Sequence, residues 1–237
     1  MSDAGLAAAQ EKMREAGVVA GAIQTFSHYY RQLESGVTGI IAEDDITPMD
    51  DPVMLDQLKV DDDQARDAIG KTVIIKLNGG LGTSMGLDKA KSLLQVRDGK
   101  TFLDIIVDQV MAARAKYGVQ IPLLFMNSFR TREESLEVLA KYPELPVAGL
   151  PLDFIQNQEP KLRADDLTPV RWLADRTLEW CPPGHGDLYN ALLGSGILNQ
   201  LIDAGYRYAC ASNGDNLGAG PDATIAGWFA SSGAPYA

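Results

Sequence analysis

The fold is set by Thr72-Val73-Ile74-Ile75-Lys76-Leu77-Asn78-Gly79-Gly80-Leu81-Gly82-Thr83-Ser84-Met85-Gly86. A β-branched apolar run entering a glycine cluster reads as a buried parallel strand that ends in a loop, and α/β sheets take their ligands at strand carboxyl ends. Glycine permits positive φ and leaves no Cβ in the way of an approaching group, so successive amide N–H groups can turn inward around a polyanion. The spacing is not G-x-x-x-x-G-K-[ST], because no Lys-Ser or Lys-Thr follows a glycine at the required offset. It is not G-x-G-x-x-G either, because Gly80-Leu81-Gly82 is followed three residues on by Met85. A ligand-free strand-to-helix turn is the bland alternative, but Gly79, Gly80, Gly82 and Gly86 are more glycine than a turn needs.

Working outward, residues 92–96 read as a short strand and Asp98-Gly99 as a turn. Residues 101–117 carry a helical stripe of Phe102, Ile105, Ile106, Val110 and Ala113, with Thr101 as N-cap, Asp104 three residues later and Gly118 as the stop. A buried strand at 121–126, a helix at 131–142 and a strand near 153–155 follow, which argues for right-handed βαβ crossovers. Trp172 and Trp180 are expected to pack an irregular β segment, Pro182-Pro183-Gly184-His185-Gly186-Asp187 makes a stiff turn, and one helix is expected from 188 to about 204, capped by Gly205. A strand at 206–212 then ends in the turn Asn213-Gly214-Asp215, on the same sheet edge as the glycine loop if the strands are parallel. On the N-terminal side, helices are expected at 4–16 and 18–33, followed by an acidic, proline-bearing connector through Asp44, Asp45, Asp50, Asp51 and residues 61–63. His28, beside Tyr29 and Tyr30, reads as a packing or surface residue. The fold class is therefore α/β: a Rossmann-like, mainly parallel or mixed sheet flanked by helices, with an N-terminal helical segment. The expected division is 1–60 for that segment and its acidic linker and 61–237 for the sheet domain.

With 237 residues, 46% of them hydrophobic, the chain can bury a sizeable core. Its net charge of −11 opposes non-specific binding to nucleic acid or to an anionic membrane. A bound phosphate must then be held by local dipoles, individual lysines and a metal. Two cysteines, Cys181 and Cys210, and no N-terminal apolar signal segment point to a reducing cytoplasm. No apolar run approaches the ~20 residues that span a bilayer.

The segment Lys76 to Gly86, followed by Lys91-Ser92-Leu93, resembles the nucleotide-binding loop and lysine of the eukaryotic-type UTP–glucose-1-phosphate uridylyltransferase (UDP-glucose pyrophosphorylase) family. In that family's order come Met126-Asn127-Ser128-Phe129, Phe154-Ile155-Gln156, the Pro182 to Asp187 hexapeptide and Ser212-Asn213-Gly214-Asp215-Asn216-Leu217-Gly218. Leu87-Asp88-Lys89-Ala90 and Gln158-Glu159-Pro160 depart from the family pattern. The resemblance implies a nucleotide-diphospho-sugar transferase fold of the GT-A-like kind. It also implies a nucleotidyltransferase domain that is incomplete at its C-terminal side, since members continue well beyond the position of Ala237.

As the resemblance implies, Leu77, Asn78, Gly79 and Gly80 would lie against the nucleotide, Lys91 would contact the triphosphate as the catalytic cation, and Gln156 would pair with uracil. Gly184 would touch the base, His185 the sugar, and Asn213 and Gly214 the ribose or hexose; Asp215 would bind nucleotide through Mg2+. The partners would be UTP and a sugar 1-phosphate, with no nucleic acid and no membrane; an oligomer stays open. Ser84 favours the glucose enzyme over a UDP-N-acetylhexosamine or broad UDP-sugar pyrophosphorylase, which generally shows arginine near that position. A nucleotide-binding module without turnover is the alternative from another class, and a dehydrogenase fails on glycine spacing.

Overall fold

The computed structural model describes residues 2–81 and 90–237. In chain order they form α1 (Ser2–Glu15), α2 (Ala20–Glu34), α3 (Asp62–Gly70), β1 (Thr72–Asn78), β2 (Gln95–Arg97), β3 (Lys100–Thr101), α4 (Phe102–Tyr117), β4 (Leu123–Asn127), α5 (Arg132–Leu139), β5 (Asp153–Ile155), β6 (Glu159–Pro160), β7 (Trp180–Cys181), α6 (Leu188–Gly194), α7 (Ile197–Asp203), β8 (Tyr208–Asn213) and α8 (Ala223–Ser232). They divide into two compact units, each sewn from two stretches: Met1–Pro52 with Gln156–Gly194, the helical unit, and Val53–Ile155 with Ser195–Ala237, the sheet unit.

In the sheet unit a four-stranded sheet runs β5-β4-β1-β8, and β1 pairs in parallel with both β4 and β8. Val73, Ile74 and Ile75 are buried, as befits a strand covered on both faces; each such side chain contributes roughly 1.5–3 kcal/mol of burial. One face packs on α4 through Leu103, Ile106, Val107 and Val110. That helix starts as the sequence predicts: the Thr101 hydroxyl accepts from the Asp104 amide while the Asp104 carboxylate accepts from the Thr101 amide, and Gly118 ends it at φ 64°. From β1 the chain moves to β4 on one side, while β8 lies on the other. Strand order therefore reverses at β1, and the crevice at such a reversal is where open α/β sheets bind ligands.

Three expectations about elements are corrected. Only the last part of the acidic run leaves the connector: Asp61 accepts hydrogen bonds from the amides of Asp63 and Gln64 and so caps α3, whose Ala65, Ala68 and Ile69 are buried. Gly227 of α8 meets that helix closely, since a Cβ there would stand 2.5 Å from Val60 Cγ1 and 3.1 Å from Ala65 Cα. The single helix expected from 188 to 204 is two helices, broken where Gly196 adopts φ 76°; left-handed backbone cannot continue a helix. The expected strand at 92–96 begins instead with a 3-10 turn at Lys91–Leu93, and the strand lies at Gln95–Arg97, paired with β3. Asp98 and Gly99 link the two with positive φ at both positions, the backbone of a type I′ hairpin.

In the helical unit, Leu6, Ala9 and Met13 of α1 pack on Phe26 and Tyr30 of α2, with Trp180 against them. Lys12 ties α1 to the 170–179 segment by an ion pair with Glu179 and a 2.8 Å bond to the Val170 carbonyl. Trp172, expected to pack, is 54% exposed.

Candidate functional site

At the switch point β1 and β8 end side by side, with Leu77 opposite Asn213 in register. The Gly214 amide donates to the Leu77 carbonyl at 2.9 Å. A Cβ on Gly214 would stand 3.2 Å from that carbonyl oxygen and 3.3 Å from Asn78 Oδ1, so this close approach of two backbones suits a residue without a side chain. At the other end of the glycine segment, the Lys91 amide donates to the Gly80 carbonyl at 3.3 Å and Leu81 bridges Ala90. Lys91 thus stands at the neck of the loop whose residues Gly82 through Lys89 lie outside the described residues. Leu77, Asn78, Gly79, Gly80, Lys91, Asn213, Gly214 and Asp215 all belong to the sheet unit, where Leu77 meets Asn213 and Gly214, and Gly80 meets Lys91.

Asn78 departs from the expected pattern in one respect: its side chain is buried and turned inward. Its Nδ2 donates to Asn127 Oδ1 at 2.7 Å and to Ser135 Oγ at 2.9 Å, and its carbonyl accepts from the Thr131 hydroxyl at 2.7 Å. The network continues as Asn127 donates to Asp153 at 3.2 Å and Arg132 pairs with the same carboxylate at 2.7 Å. The carboxyl ends of β1 and β4 are thus tied by polar side chains to each other and to the first residue of β5, and the Asn78 side chain serves that lock.

Lys76 and Gln109 were not singled out in sequence, although a lone lysine inside an apolar strand is the signal that could have found the first. Lys76 is 1% exposed, and its ammonium donates to Ser212 Oγ at 2.7 Å, the Asn216 carbonyl at 3.2 Å and the Ala219 carbonyl at 2.8 Å. Burial pushes its pKa down, because the charged form loses water. Gln109 of α4 donates to the Leu217 carbonyl at 2.9 Å.

Asp215 is exposed, and among the described residues its carboxylate takes no hydrogen bond or ion pair. Nor do the described residues contain a cluster of three His, Cys, Asp or Glu able to hold a metal by themselves. One carboxylate without a partner among the described residues nonetheless suits Mg2+, which takes one or two carboxylates and completes its shell with phosphate oxygens and water.

The remaining predicted residues belong to the helical unit and are joined there by one staple. The Asn157 amide donates to Asp187 Oδ2 at 2.6 Å and its Nδ2 to Oδ1 at 2.8 Å, fixing the neighbour of Gln156 to the turn of Gly184 and His185. Gly184 has φ 103°, a conformation for glycine, and His185 opens a 3-10 turn in solvent. Gln156 is 5% exposed, yet its Nε2 has no partner among the described residues. Buried donors are normally satisfied, so this amide is an exception within the described residues. Burial, reinforced by the charge of Asp187, pushes the Glu159 carboxyl up to about 7; burial also raises Asp187 against the hydrogen bonds from Asn157.

A parallel sheet whose strand order reverses at β1, with helices against it, defines an open, doubly wound α/β fold. The family model for UTP–glucose-1-phosphate uridylyltransferase matches residues 23–237, and the chain belongs to that family. It is 41% identical over 187 residues to the UTP–glucose-1-phosphate uridylyltransferase of Solanum tuberosum, covering 76% of this chain and 38% of the relative. A probable enzyme of the same name from Schizosaccharomyces pombe is 43% identical over 173 residues, covering 73% and 34%. Among solved structures, UDP-glucose pyrophosphorylase of Leishmania major, in a mutant form complexed with UDP-glucose, aligns with TM-score 0.89 at 43% identity, covering 96% of this chain and 47% of that one. The solved structure of a UDP-glucose phosphorylase from Trypanosoma brucei aligns with TM-score 0.86 at 40% identity, covering 96% of this chain and 49% of that one. The chain thus spans under half the length of these relatives.

Proposed function

We propose that this chain supplies the nucleotide-binding part of a uridylyltransferase that makes UDP-glucose and pyrophosphate from UTP and glucose 1-phosphate. An oxygen of the sugar phosphate attacks the α-phosphorus of UTP in line; that P–O bond forms, the bond to the oxygen bridging α and β breaks, and pyrophosphate leaves with the electron pair. The nucleophile is already ionised, so positioning and charge stabilisation carry the rate. Mg2+, when bound, offsets repulsion between the two phosphate groups. In this reading Leu77, Gly79 and Gly80 and the backbone of Asn78 line the nucleotide, Lys91 holds the triphosphate and Asp215 holds the metal. Gln156 donates to and accepts from uracil, which an amide can do at once, Gly184 lies by the base, and His185, Asn213 and Gly214 meet sugar. The free thiols of Cys181 and Cys210 fit a cytoplasmic location.

The observation that carries the reading is the closure of the β1 glycine exit onto the Asp215 turn, through the 2.9 Å bond from Gly214 to Leu77, in a chain of this family. The test is turnover of UTP and Mg2+ with a panel of sugar 1-phosphates, including N-acetylhexosamine 1-phosphates, by the whole protein. UDP-glucose with stoichiometric pyrophosphate is expected, and no UDP-sugar with any acceptor sinks the proposal. Since residues 1–237 span under half of the relatives, this chain by itself is expected to bind uridine nucleotide without turnover.

A further inference from the structure

We propose that Lys76 and Gln109 are positioning residues that hold the Asp215 turn in the geometry a phosphate-bound divalent cation requires; the inference rests on the nucleotide reading above. Putting an ammonium inside a strand is costly unless every proton is matched. Lys76 has three protons and meets three acceptors: the hydroxyl of Ser212 and the carbonyls of Asn216 and Ala219. No carboxylate lies within ion-pair distance of it among the described residues, so the contacts are to the turn's own hydroxyl and backbone. Ser212 precedes Asp215 by three positions and Asn216 follows it directly. Gln109 adds a fourth bond, to the Leu217 carbonyl.

The turn is therefore held before Asp215 through the Ser212 hydroxyl and after it through the carbonyls of Asn216, Leu217 and Ala219, while the carboxylate itself takes no partner among the described residues. A side chain whose support is fixed and whose oxygens are free is what a metal-ligating carboxylate needs. Apolar residues at 76 and 109 would fill the same space and serve packing alone; they would not grip three carbonyls of one short turn.

The test uses the 237-residue chain as Lys76→Met, Gln109→Leu and, as a control, Asp215→Asn. UTP binding is measured calorimetrically with EDTA and with Mg2+, and Mn2+ binding in the presence of UTP by electron paramagnetic resonance, after circular dichroism has verified folding. Wild type is expected to bind UTP more tightly with Mg2+. Both positioning variants should lose roughly 10- to 100-fold in metal affinity, the range for residues that support a metal ligand, with metal-free UTP affinity unchanged. The two substitutions share no charge change, so a parallel loss reports turn geometry. Should Lys76→Met fail to fold, Gln109→Leu decides the matter. Metal enhancement retained in full by a folded variant overturns the positioning role and leaves the nucleotide reading standing; a wild-type chain that binds no UTP overturns both.

Discussion

Replacing Asn78 by alanine separates two roles that its place in the glycine motif runs together. The side chain donates at 2.7 Å to Asn127 Oδ1 and at 2.9 Å to Ser135 Oγ, where Asn127 and Ser135 are both 0% exposed. Two net hydrogen bonds are worth about 1 kcal/mol each, and the acceptor orphaned on Asn127 adds about 1–3 kcal/mol, less whatever relaxation or entering water restores. The expected loss is therefore about 2–4 kcal/mol, which for a chain of this size lowers Tm by roughly 5–15 °C. Urea denaturation followed by far-UV circular dichroism measures it, with the cycle Asn78→Ala, Asn127→Ala and the double variant giving a coupling of about 1 kcal/mol or more. Uridine affinity of the folded Asn78→Ala protein should stay near wild type, since the amide faces inward. A loss below about 0.5 kcal/mol, or strict additivity in the cycle, would refute the inward network; a large affinity loss at unchanged stability would return the side chain to the ligand.

Lys91→Ala is expected to weaken UTP binding more than uridine binding in calorimetry, and equal losses would show that its ammonium does not serve phosphate. Gly227→Val should destabilise the α3–α8 contact by about 1–3 kcal/mol, because a Cβ there already stands 2.5 Å from Val60 Cγ1; an unchanged urea midpoint would contradict that packing. The Glu159 carboxyl, raised to about 7 chiefly by burial and further by Asp187, favours the protonated form when folded, so its contribution to stability is full below about 4.5 and is lost as pH rises to about 7. Glu159→Gln should flatten stability across that window; an unaltered pH profile would mean the carboxyl titrates normally.

Local signals were readable wherever neighbours in sequence decide the structure. Thr101 and Asp104 announce the start of α4 and Gly118 its end, and the Thr72–Ile75 run announces β1, because cap and strand chemistry act over a few residues. The strand and turn pattern at 206–215 announces β8, but its parallel place beside β1 comes from the structure. What escaped has longer reach or double meaning. Aspartates at 61–63 serve equally as a solvated run and as a cap with an acidic first turn, and only the buried Ala65, Ala68 and Ile69 distinguish them. Gly194-Ser195-Gly196 can be tolerated in a helix or can break it, and the left-handed Gly196 breaks it. For the candidate site, the turn that holds the carboxylate was visible, but its clamps were not. Lys76 meets acceptors 136 to 143 positions away, and Asn78 meets Asn127 across 49, separations at which sequence spacing carries no geometry.

The 136-position gap between β1 and the strand that covers its outer side also has a meaning for the chain as it leaves the ribosome. Synthesis delivers β4 and β5 early enough to occupy one border of β1, while the other border waits for Tyr208–Asn213. Through that interval an apolar strand stands with unsatisfied amides and carbonyls, the condition under which foreign strands add themselves. Lys76 then has none of its three eventual acceptors and sits hydrated and charged in the middle of the exposed strand, a deterrent to mispairing that vanishes when the native neighbour arrives.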